Sequence, residues 1–551
     1  MPRIGKKLIF ALSILCIVQT RKHIPMKNSI FFLLLLGTMV SQAQIVEVSG
    51  FQSGTWEADT IKIVGDVLVQ DSLCVAPGTT VLFDGYYQIA VKNDARFLAL
   101  GTEADSVLFT VADTAGFHVF NSGSGGWNGI RMDHAGPSRF DYCRFQYGKA
   151  ATDHEQDGGA LRIFNSDAVE IGHSTLSCNF SREHGGALSA EGSRVVIHDC
   201  NILDNQTYSK LDSVYFMYGG GMRFLKCEVD IARSDFRRNM GQSSIGGALS
   251  LDSCAVSIDR CKFEHNYGIN GAGLYLIRCN DRPCSITNSL FAHNTSGHFG
   301  GGFAISDSSP LLSNLTVVNN HSIGVNCGGI FFYQYSSPSL YNCLVYGNTN
   351  ESMTVNPVQM WAWTYEETAP QFYNCLVQFG LKNIAGNDGI LVYENCLEDD
   401  PLFLDDGFHI GSESPCFNSG STETPAEVLN GLDLAGNHRV LHGCIDIGAY
   451  ETDMTAIEEN TRNEHRVRIV GNPISASSYA EIEMEKTGRI VAKTYSMDGK
   501  LLANKCFYIN NPGTHCIEIG EMFEDLSQGM YLLVVESPTG IFGAKVLRQE
   551  F

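Results

Sequence analysis

The stretch GGALSLDSCAVSIDRCKFEHN, from Gly246 to Asn266, contains the repeating unit of this chain. Its apolar residues alternate with polar ones in three short runs, which end at Leu251, Ile258 and Phe263. A period of two is that of a β-strand, whose side chains point alternately to opposite faces, whereas a helix has a period near 3.6. The unit therefore predicts three short strands separated by turns.

The same unit recurs along the chain through two signals. One is a Gly-Gly pair before an apolar residue, as in Gly185-Gly186 and Gly301-Gly302. The other is an apolar-x-x-Asn turn, and one long interval between two such turns contains an insertion at Tyr208–Met217. The asparagines of this turn are Asn179, Asn205, Asn239, Asn266, Asn294, Asn320 and Asn348.

A single repeat of this size cannot bury its own apolar face, but stacked copies can. Stacking places strands of successive repeats about 4.8 Å apart. We therefore predict an all-β fold in which residues 45–451 form a parallel β-helix. We expect the turn asparagines to adopt left-handed backbone angles and to bond to the equivalent amide of the next coil.

The cysteines follow the repeat instead of forming an independent framework. Six of them occupy one repeat position, two places before the apolar residue of the turn or its equivalent, and serine fills that position in other repeats. These six are Cys143, Cys200, Cys261, Cys343, Cys375 and Cys396. A position shared by Cys and Ser predicts small buried thiols. The pairs Cys279–Cys284 and Cys506–Cys516 remain candidates for disulfides.

Acidic residues outnumber basic ones, because 60 Asp and Glu stand against 38 Lys and Arg, for a net charge of −22. Such a surface repels phosphate backbones, so we expect no nucleic-acid partner. The 56 glycines have no collagen period and apolar residues are plentiful, which excludes collagen and disorder. We predict no cofactor.

Two apolar stretches near the start, Leu8–Val18 and Ile30–Val40, have the length of signal-peptide cores. The second follows Met26 and ends in a Ser-Gln-Ala cleavage pattern. We therefore predict a signal peptide at residues 26–43 behind an upstream extension at 1–25. Whether translation starts at Met26 or at the first residue stays open, and both alternatives predict export. No later stretch predicts a transmembrane span.

The glycine and asparagine repeats resemble those of the chlamydial polymorphic outer-membrane proteins and of bacterial right-handed β-helix repeat proteins. The segment Asp433–Glu451 is similar to the closing motif of many exported bacterial β-helices. The resemblance implies a right-handed solenoid and, from the first group, an adhesive role. It implies no particular activity.

Residues 452–464 are polar and lack the repeat, which predicts a linker. Residues 465–551 alternate again in short runs, which predicts a small antiparallel β-sandwich. This tail resembles the type A C-terminal sorting domain of the Bacteroidetes type IX secretion system. The matching residues are Asn472, Pro473, Asp498, Gly499, Lys500, Leu526, Gly529, Tyr531 and Lys545. The resemblance implies passage across the outer membrane and removal of the tail; an ordinary carbohydrate-binding or fibronectin-like module is the alternative.

Three groups of residues are candidates for a site. The first is the insertion that holds Trp361, Trp363, Tyr365, Glu366 and Glu367, which would form a platform for sugar rings if extended, or would pack on the helix. His265 and His293 occupy one position in consecutive coils, as a metal pair or, our preferred interpretation, as a solvated stack. The carboxylates of the closing motif would bind a cation or, as we prefer, would pair with Arg439 in a cap over the end of the solenoid.

The sequence contains no constellation that identifies a catalytic site, so its catalytic residues are unknown. We predict an exported protein, secreted or attached to the outer-membrane surface, with a binding or adhesive role and the type IX secretion machinery as a partner. A glycan or a cell-surface ligand is the expected target, and we expect a monomer. The alternative is a polysaccharide lyase or glycoside hydrolase that acts in a groove on the β-helix.

Overall fold

The computed structural model describes residues 44–452 and 467–548, apart from 153–155, 209–216, 325, 352–358, 363–367, 387–391, 423–428, 430, 442, 471–473, 476–477, 485–486, 497–498, 510 and 538–539. The chain divides into two compact units, Met1–Thr452 and Asp453–Phe551. Strands and turns account for nearly all of the described residues, with short 3-10 helices at Gly380–Asn383 and Gly520–Phe523. Within this part of the chain, no helix has the length and apolar character needed to cross a membrane.

The first unit winds 35 strands into three parallel ladders. The first-strand ladder contains Ile89–Lys92, Ile130–Asp133, Leu161–Phe164, Leu188–Glu191, Met222–Leu225, Leu249–Asp252, Leu274–Ile277, Phe303–Ser306, Ile330–Phe332, Met360–Ala362 and Ile384–Ala385. The second-strand ladder contains Arg96–Leu100, Ser138–Asp141, Val169–Gly172, Arg194–His198, Glu228–Ala232, Ala255–Asp259, Cys284–Thr287, Leu311–Ser313, Ser339–Tyr341, Gln371–Tyr373 and Val392–Glu394. The third-strand ladder contains Thr80–Phe83, Val107–Val111, Cys143–Gln146, Thr175–Ser177, Asn201–Leu203, Asp235–Arg237, Lys262–Glu264, Leu290–Ala292, Thr316–Val318, Leu344–Tyr346 and Leu376–Val377.

Two long strands begin the solenoid, and each bends to take part in all three ladders. They are Ile45–Trp56 and Thr60–Val75, paired in parallel with two shifts of register. A further set of short strands follows the third-strand ladder in many coils and forms a separate parallel sheet. Its members are Lys149–Ala150, Phe180–Ser181, Gln206–Thr207, Met217–Tyr218, Met240–Gly241, Ser244–Ile245, Tyr267–Asn270, Thr295–Phe299, His321–Ser322 and Thr349–Asn350.

The interior of the solenoid is a continuous apolar core that runs along its axis. Because the strands stack in register, each inward side chain lies on its equivalent in the next coil. Phe236, Phe263 and Phe291 form such a stack, with ring centroids 4.7 Å apart at each step. The apolar residues of the alternating runs therefore point into the core, as the sequence predicted.

The Gly-Gly signal marks the place where the backbones of adjacent coils come closest. A Cβ on Gly186 would lie 2.2 Å from the carbonyl oxygen of Gly220 in the next coil. The preceding Gly185 has φ of +60°, in the left-handed region that side chains disfavour. Both requirements exclude larger residues at this turn.

The second unit consists of two antiparallel sheets around their own core. One sheet contains Val467–Val470, Tyr479–Met484 and Gly513–Glu518, and the other contains Leu501–Ile509, Gly488–Ser496, Gly529–Ser537 and Gly540–Arg548. The predicted fold class, a parallel β-helix followed by a small antiparallel β-sandwich, is confirmed.

Candidate functional site

An aromatic surface covers the outer side of the first-strand ladder in its C-terminal half. Outward residues Tyr275, Ala304, Phe331 and Trp361 follow one another in register at consecutive levels. The aromatic surface comprises these three rings and three neighbours, and its members are Tyr218, Tyr275, Phe299, Phe331, Tyr333 and Trp361.

The rings of the aromatic surface pack against one another. The centroid of Phe331 lies 4.6 Å from that of Phe299 and 5.8 Å from that of Tyr333, and both pairs are stacked. Phe331 and Tyr275 are buried, whereas Phe299, Tyr333 and Trp361 are half-buried. Buried rings therefore hold half-buried ones in place, which limits the conformational entropy that a ligand would have to remove.

Polar groups adjoin the same surface. The hydroxyl of Tyr275 is hydrogen-bonded to Ser306, and burial raises the pKa of Tyr275 to about 12. Arg278 binds Asp252 through two hydrogen bonds, one of them 2.9 Å from Nε to Oδ1, and the Arg278 side chain is 54% exposed. An apolar floor with a few fixed polar groups is the usual make-up of a site for a small ligand.

Trp361, predicted as part of a sugar platform, lies in this surface. The other four predicted platform residues, Trp363, Tyr365, Glu366 and Glu367, lie outside the described residues. Sequence reasoning missed the other five rings of the surface, which are Tyr218, Tyr275, Phe299, Phe331 and Tyr333. They come from several coils and share no motif, so only the stacking of the coils brings them together.

The turn asparagines form one continuous ladder inside the solenoid. Each donates from Nδ2 to Oδ1 of the asparagine in the next coil, at 2.9 to 3.0 Å, from Asn179 to Asn348. Each also donates to a backbone carbonyl of the preceding coil, as Asn266 does to Phe236 at 2.9 Å. Gln359 and Gln378 continue the ladder beyond Asn348, and the longer glutamine side chain reaches the position from a different place in the coil.

The expected left-handed backbone belongs to the residue before each asparagine, so the expectation for the asparagines themselves is wrong. Asp204, Arg238, His265 and Asn319 have φ between 54° and 57°, and they precede members of the ladder. Asparagine suits this position because its side-chain amide both donates and accepts hydrogen bonds within the buried ladder.

The described cysteines are all free thiols, including Cys279, Cys284, Cys506 and Cys516. At the repeat position shared by Cys and Ser, the backbone N–H of one coil donates a hydrogen bond to the Cys or Ser side chain at the same position in the next coil. Cys261 donates in this way to Ser289 Oγ at 3.0 Å, and Ser289 Oγ donates to Thr287 O. Sulfur and oxygen therefore occupy equivalent places in one hydrogen-bonded column.

The closing segment spans residues 399–452, and its described residues lie against the side of the solenoid and not over its end, so the predicted cap is wrong in its location. Its described residues pack on the outer side of the third-strand ladder, where Ala449 N donates to Thr316 Oγ1 at 2.9 Å and Gly448 N donates to Asn342 O at 2.9 Å. Apart from Thr316, the outward residues beneath it are mainly apolar, and Leu290, Ala292, Val318, Leu344 and Leu376 join Ile447 in a small hydrophobic cluster.

The closing segment contains a buried ionic network around Arg439. Arg439 Nε lies 3.3 Å from Glu451 Oε1, and the Glu451 N–H donates to Asp433 Oδ2 at 2.8 Å. Asp446 N donates to Glu451, and burial raises the pKa of Glu451 to about 9 despite the attraction of Arg439. These side chains are at most 7% exposed, so a substrate cannot reach them and the network is structural.

The described residues of the tail motif occupy turns and strand ends. Gly499, with φ of +81°, and Lys500 form a tight turn between two strands of the second sheet. Gly529 begins a strand, Tyr531 donates its hydroxyl to Ser527 O at 2.8 Å, and Lys545 is exposed in the last strand. The motif residues Asn472, Pro473 and Asp498 lie outside the described residues.

A family model described as "right handed beta helix region" matches residues 246–406. No curated protein matches the chain. The matched residues hold the later coils of the three ladders and much of the aromatic surface. The parallel ladders of the first unit and this match both indicate a right-handed β-helix fold.

Proposed function

We propose that this protein is an exported β-helix that binds a glycan on its aromatic surface. The observation that carries the proposal is the set of packed rings that includes Phe299, Tyr333 and Trp361, on the outside of a rigid solenoid. A pyranose ring presents C–H groups that pack on the face of an aromatic ring, and its hydroxyls need hydrogen-bonding partners nearby. The exposed guanidinium of Arg278 lies beside the rings and supplies such a partner.

The net charge of the chain favours a neutral glycan over a polyanionic one. A net charge of −22 disfavours a polyanionic ligand, because long-range repulsion slows its approach. A neutral polysaccharide avoids this repulsion. The in-register stacking of outward residues also suits an extended chain, because it repeats similar contacts from one coil to the next.

The glycan proposal is tested with the full-length protein and its Trp361→Ala and Tyr333→Ala variants on an array of neutral glycans. We expect at least a tenfold loss of affinity for each variant, since each removes a ring that a sugar would contact. Tyr341→Ala is the matched control, because Tyr341 and Tyr373 form an outward stack 4.9 Å apart on the second-strand ladder. Equal losses for Tyr341→Ala and Trp361→Ala would overturn the proposal, as would a wild type that retains no glycan.

The same samples distinguish binding from catalysis. A glycan that is retained intact, with no new reducing ends and no unsaturated products, supports a binding protein. Release of either product would replace the binding role by hydrolysis or elimination at this surface.

We also propose that the tail delivers the β-helix to the cell surface through a type IX secretion system. The support is the sequence resemblance, together with the antiparallel sandwich of the second unit. Cells that express the full chain are compared with cells that express a chain ending at Thr452, by fractionation and intact mass. We expect the first protein at the surface or in the medium without its tail, and the second in the periplasm. Export of both proteins with the tail retained would contradict this route.

A further inference from the structure

Two histidines and an aspartate from consecutive coils converge at the turn between the second and third strands. His198 Nδ1 lies 2.9 Å from Asp199 Oδ2, and His173 Nε2 lies 3.7 Å from the same oxygen. One ligand atom from each of the three residues lies within 4.8 Å of the other two. The turn is on a different part of the coil from the aromatic surface.

Each of the three side chains is oriented by a further charged residue. His173 Nδ1 lies 2.9 Å from Asp141 Oδ1, and His198 Nε2 lies 3.3 Å from Glu170 Oε1. Histidines that bind a metal usually donate their other ring N–H to a carboxylate in this way, which leaves the inner nitrogen unprotonated for the metal.

The aspartate and the first histidine ring are also held in place. Arg233 donates hydrogen bonds to both oxygens of Asp199, each at 2.7 Å, which fixes the orientation of this carboxylate. Tyr142 stacks on the His173 ring, with centroids 4.5 Å apart and planes 5° from parallel. The three groups therefore need little rearrangement to bind a common ion.

We infer that His173, His198 and Asp199 bind a zinc ion that links two consecutive coils. In a tetrahedral zinc site with bonds of about 2.0–2.1 Å, neighbouring ligand atoms are about 3.3 Å apart. The two distances to Asp199 Oδ2, 2.9 Å and 3.7 Å, lie on either side of that value. Two imidazoles and one carboxylate are a ligand set that zinc accepts, and the fourth position is open to water.

Two other groups with histidines lack this arrangement. In the cluster of Asp157, Glu183 and His184, the Tyr218 N–H donates to His184 Nδ1 at 3.2 Å. The proton of the neutral ring then resides on Nε2, so neither nitrogen of His184 is open to a metal. His265 and His293 stack with centroids 5.1 Å apart and planes 8° from parallel, as the solvated-stack prediction has it, and they join no carboxylate in a metal-binding cluster of the described residues.

Zinc titration of the full chain by calorimetry, after treatment with EDTA, tests the inference. Every protein in the test carries Cys506→Ser and Cys516→Ser, because these two thiols are exposed and could bind zinc themselves. We expect one zinc ion per chain with micromolar or tighter affinity. We expect at least a tenfold loss in His173→Ala and in His198→Ala.

His293→Ala is the matched control, since it removes an exposed turn histidine that has no such cluster. A urea unfolding curve for each variant separates loss of binding from loss of the fold. In addition, zinc should raise the unfolding midpoint of the parent and of His293→Ala but not that of His198→Ala. The inference is overturned if the parent binds no zinc, if it binds calcium in preference, or if His198→Ala binds as the parent does.

Discussion

The outer side of the third-strand ladder differs between the earlier and the later coils. In two adjacent earlier coils, its outward residues are Asp235, Arg237, Lys262 and Glu264, and Arg237 pairs with Glu264 at 2.8 Å. At the same register positions, the next coils have the apolar outward residues Leu290, Ala292, Val318 and Leu344. The described residues of the closing segment form a hydrophobic cluster with this apolar half.

This difference shows how a solenoid of nearly identical coils acquires distinct surfaces. The inward residues must stay apolar in every coil, because each coil contributes to the same core. The outward residues are free to vary, and their polarity decides whether a coil faces water or a second layer of chain. The closing segment is therefore part of the β-helix unit as a layer on its side.

The largest expected effect tests this layer directly. Val318→Glu places a charge under the closing segment, where Val318 is fully buried, and should destabilise the protein by about 3–5 kcal/mol. Leu203→Glu changes the same ladder position in an earlier, uncovered coil, where Leu203 is half-buried, and should change stability by less than about 1 kcal/mol. Urea unfolding of both variants measures the contrast, and similar losses would mean that the closing segment does not protect this face.

An intermediate effect tests whether the two halves differ on the inside as well. Asn239→Ala, in the uncovered half, and Asn320→Ala, in the covered half, each remove one member of the buried ladder and the side-chain hydrogen bonds that it makes with both neighbours. Each should cost about 2–3 kcal/mol, because buried polar groups lose their hydrogen bonds. A loss confined to one variant, in the same unfolding assay, would show that the ladder does not act uniformly along the axis.

The smallest effect is expected in the Cys/Ser column. Cys261→Ser and Cys343→Ser, one from each half, should shift stability by at most about 1 kcal/mol, because Ser289 already makes the equivalent hydrogen bonds in its own coil. Cys261→Leu should destabilise more, since this fully buried position has no room for a larger side chain. The unfolding midpoint of the wild type should be the same with and without a reductant, and a drop on reduction would indicate a disulfide.

Much of the architecture could be predicted from the sequence because it depends on local periodicity. Alternation with period two predicted the strands, and recurrence of the Gly-Gly and Asn signals predicted stacked coils. The same reasoning put the left-handed backbone one residue too late, because an asparagine tolerates that conformation and also forms ladders. Only the structure assigns the two roles to different residues: His265, for example, has the left-handed backbone, and Asn266 forms the ladder.

The candidate sites could be predicted only in part. Trp361 was found because its segment is rich in Trp. The predicted interruption of the repeat is wrong at Met360–Ala362, which pairs in register in the first-strand ladder, and Phe299 and Tyr333 contribute to the same surface from other coils. His173 and His198 are far apart in sequence and meet because Gly172 and His198 pair in register. Such proximity depends on the length of every intervening turn, and no local pattern encodes it.

The sequence by itself determined the period of the coil, its inward apolar residues and the buried ladder, since these repeat within a few residues of chain. Tertiary structure alone decided which outward residues become neighbours and where the closing segment packs. The physical reason is that side chains on the outside of a solenoid interact across coils, and those contacts depend on register and not on sequence distance.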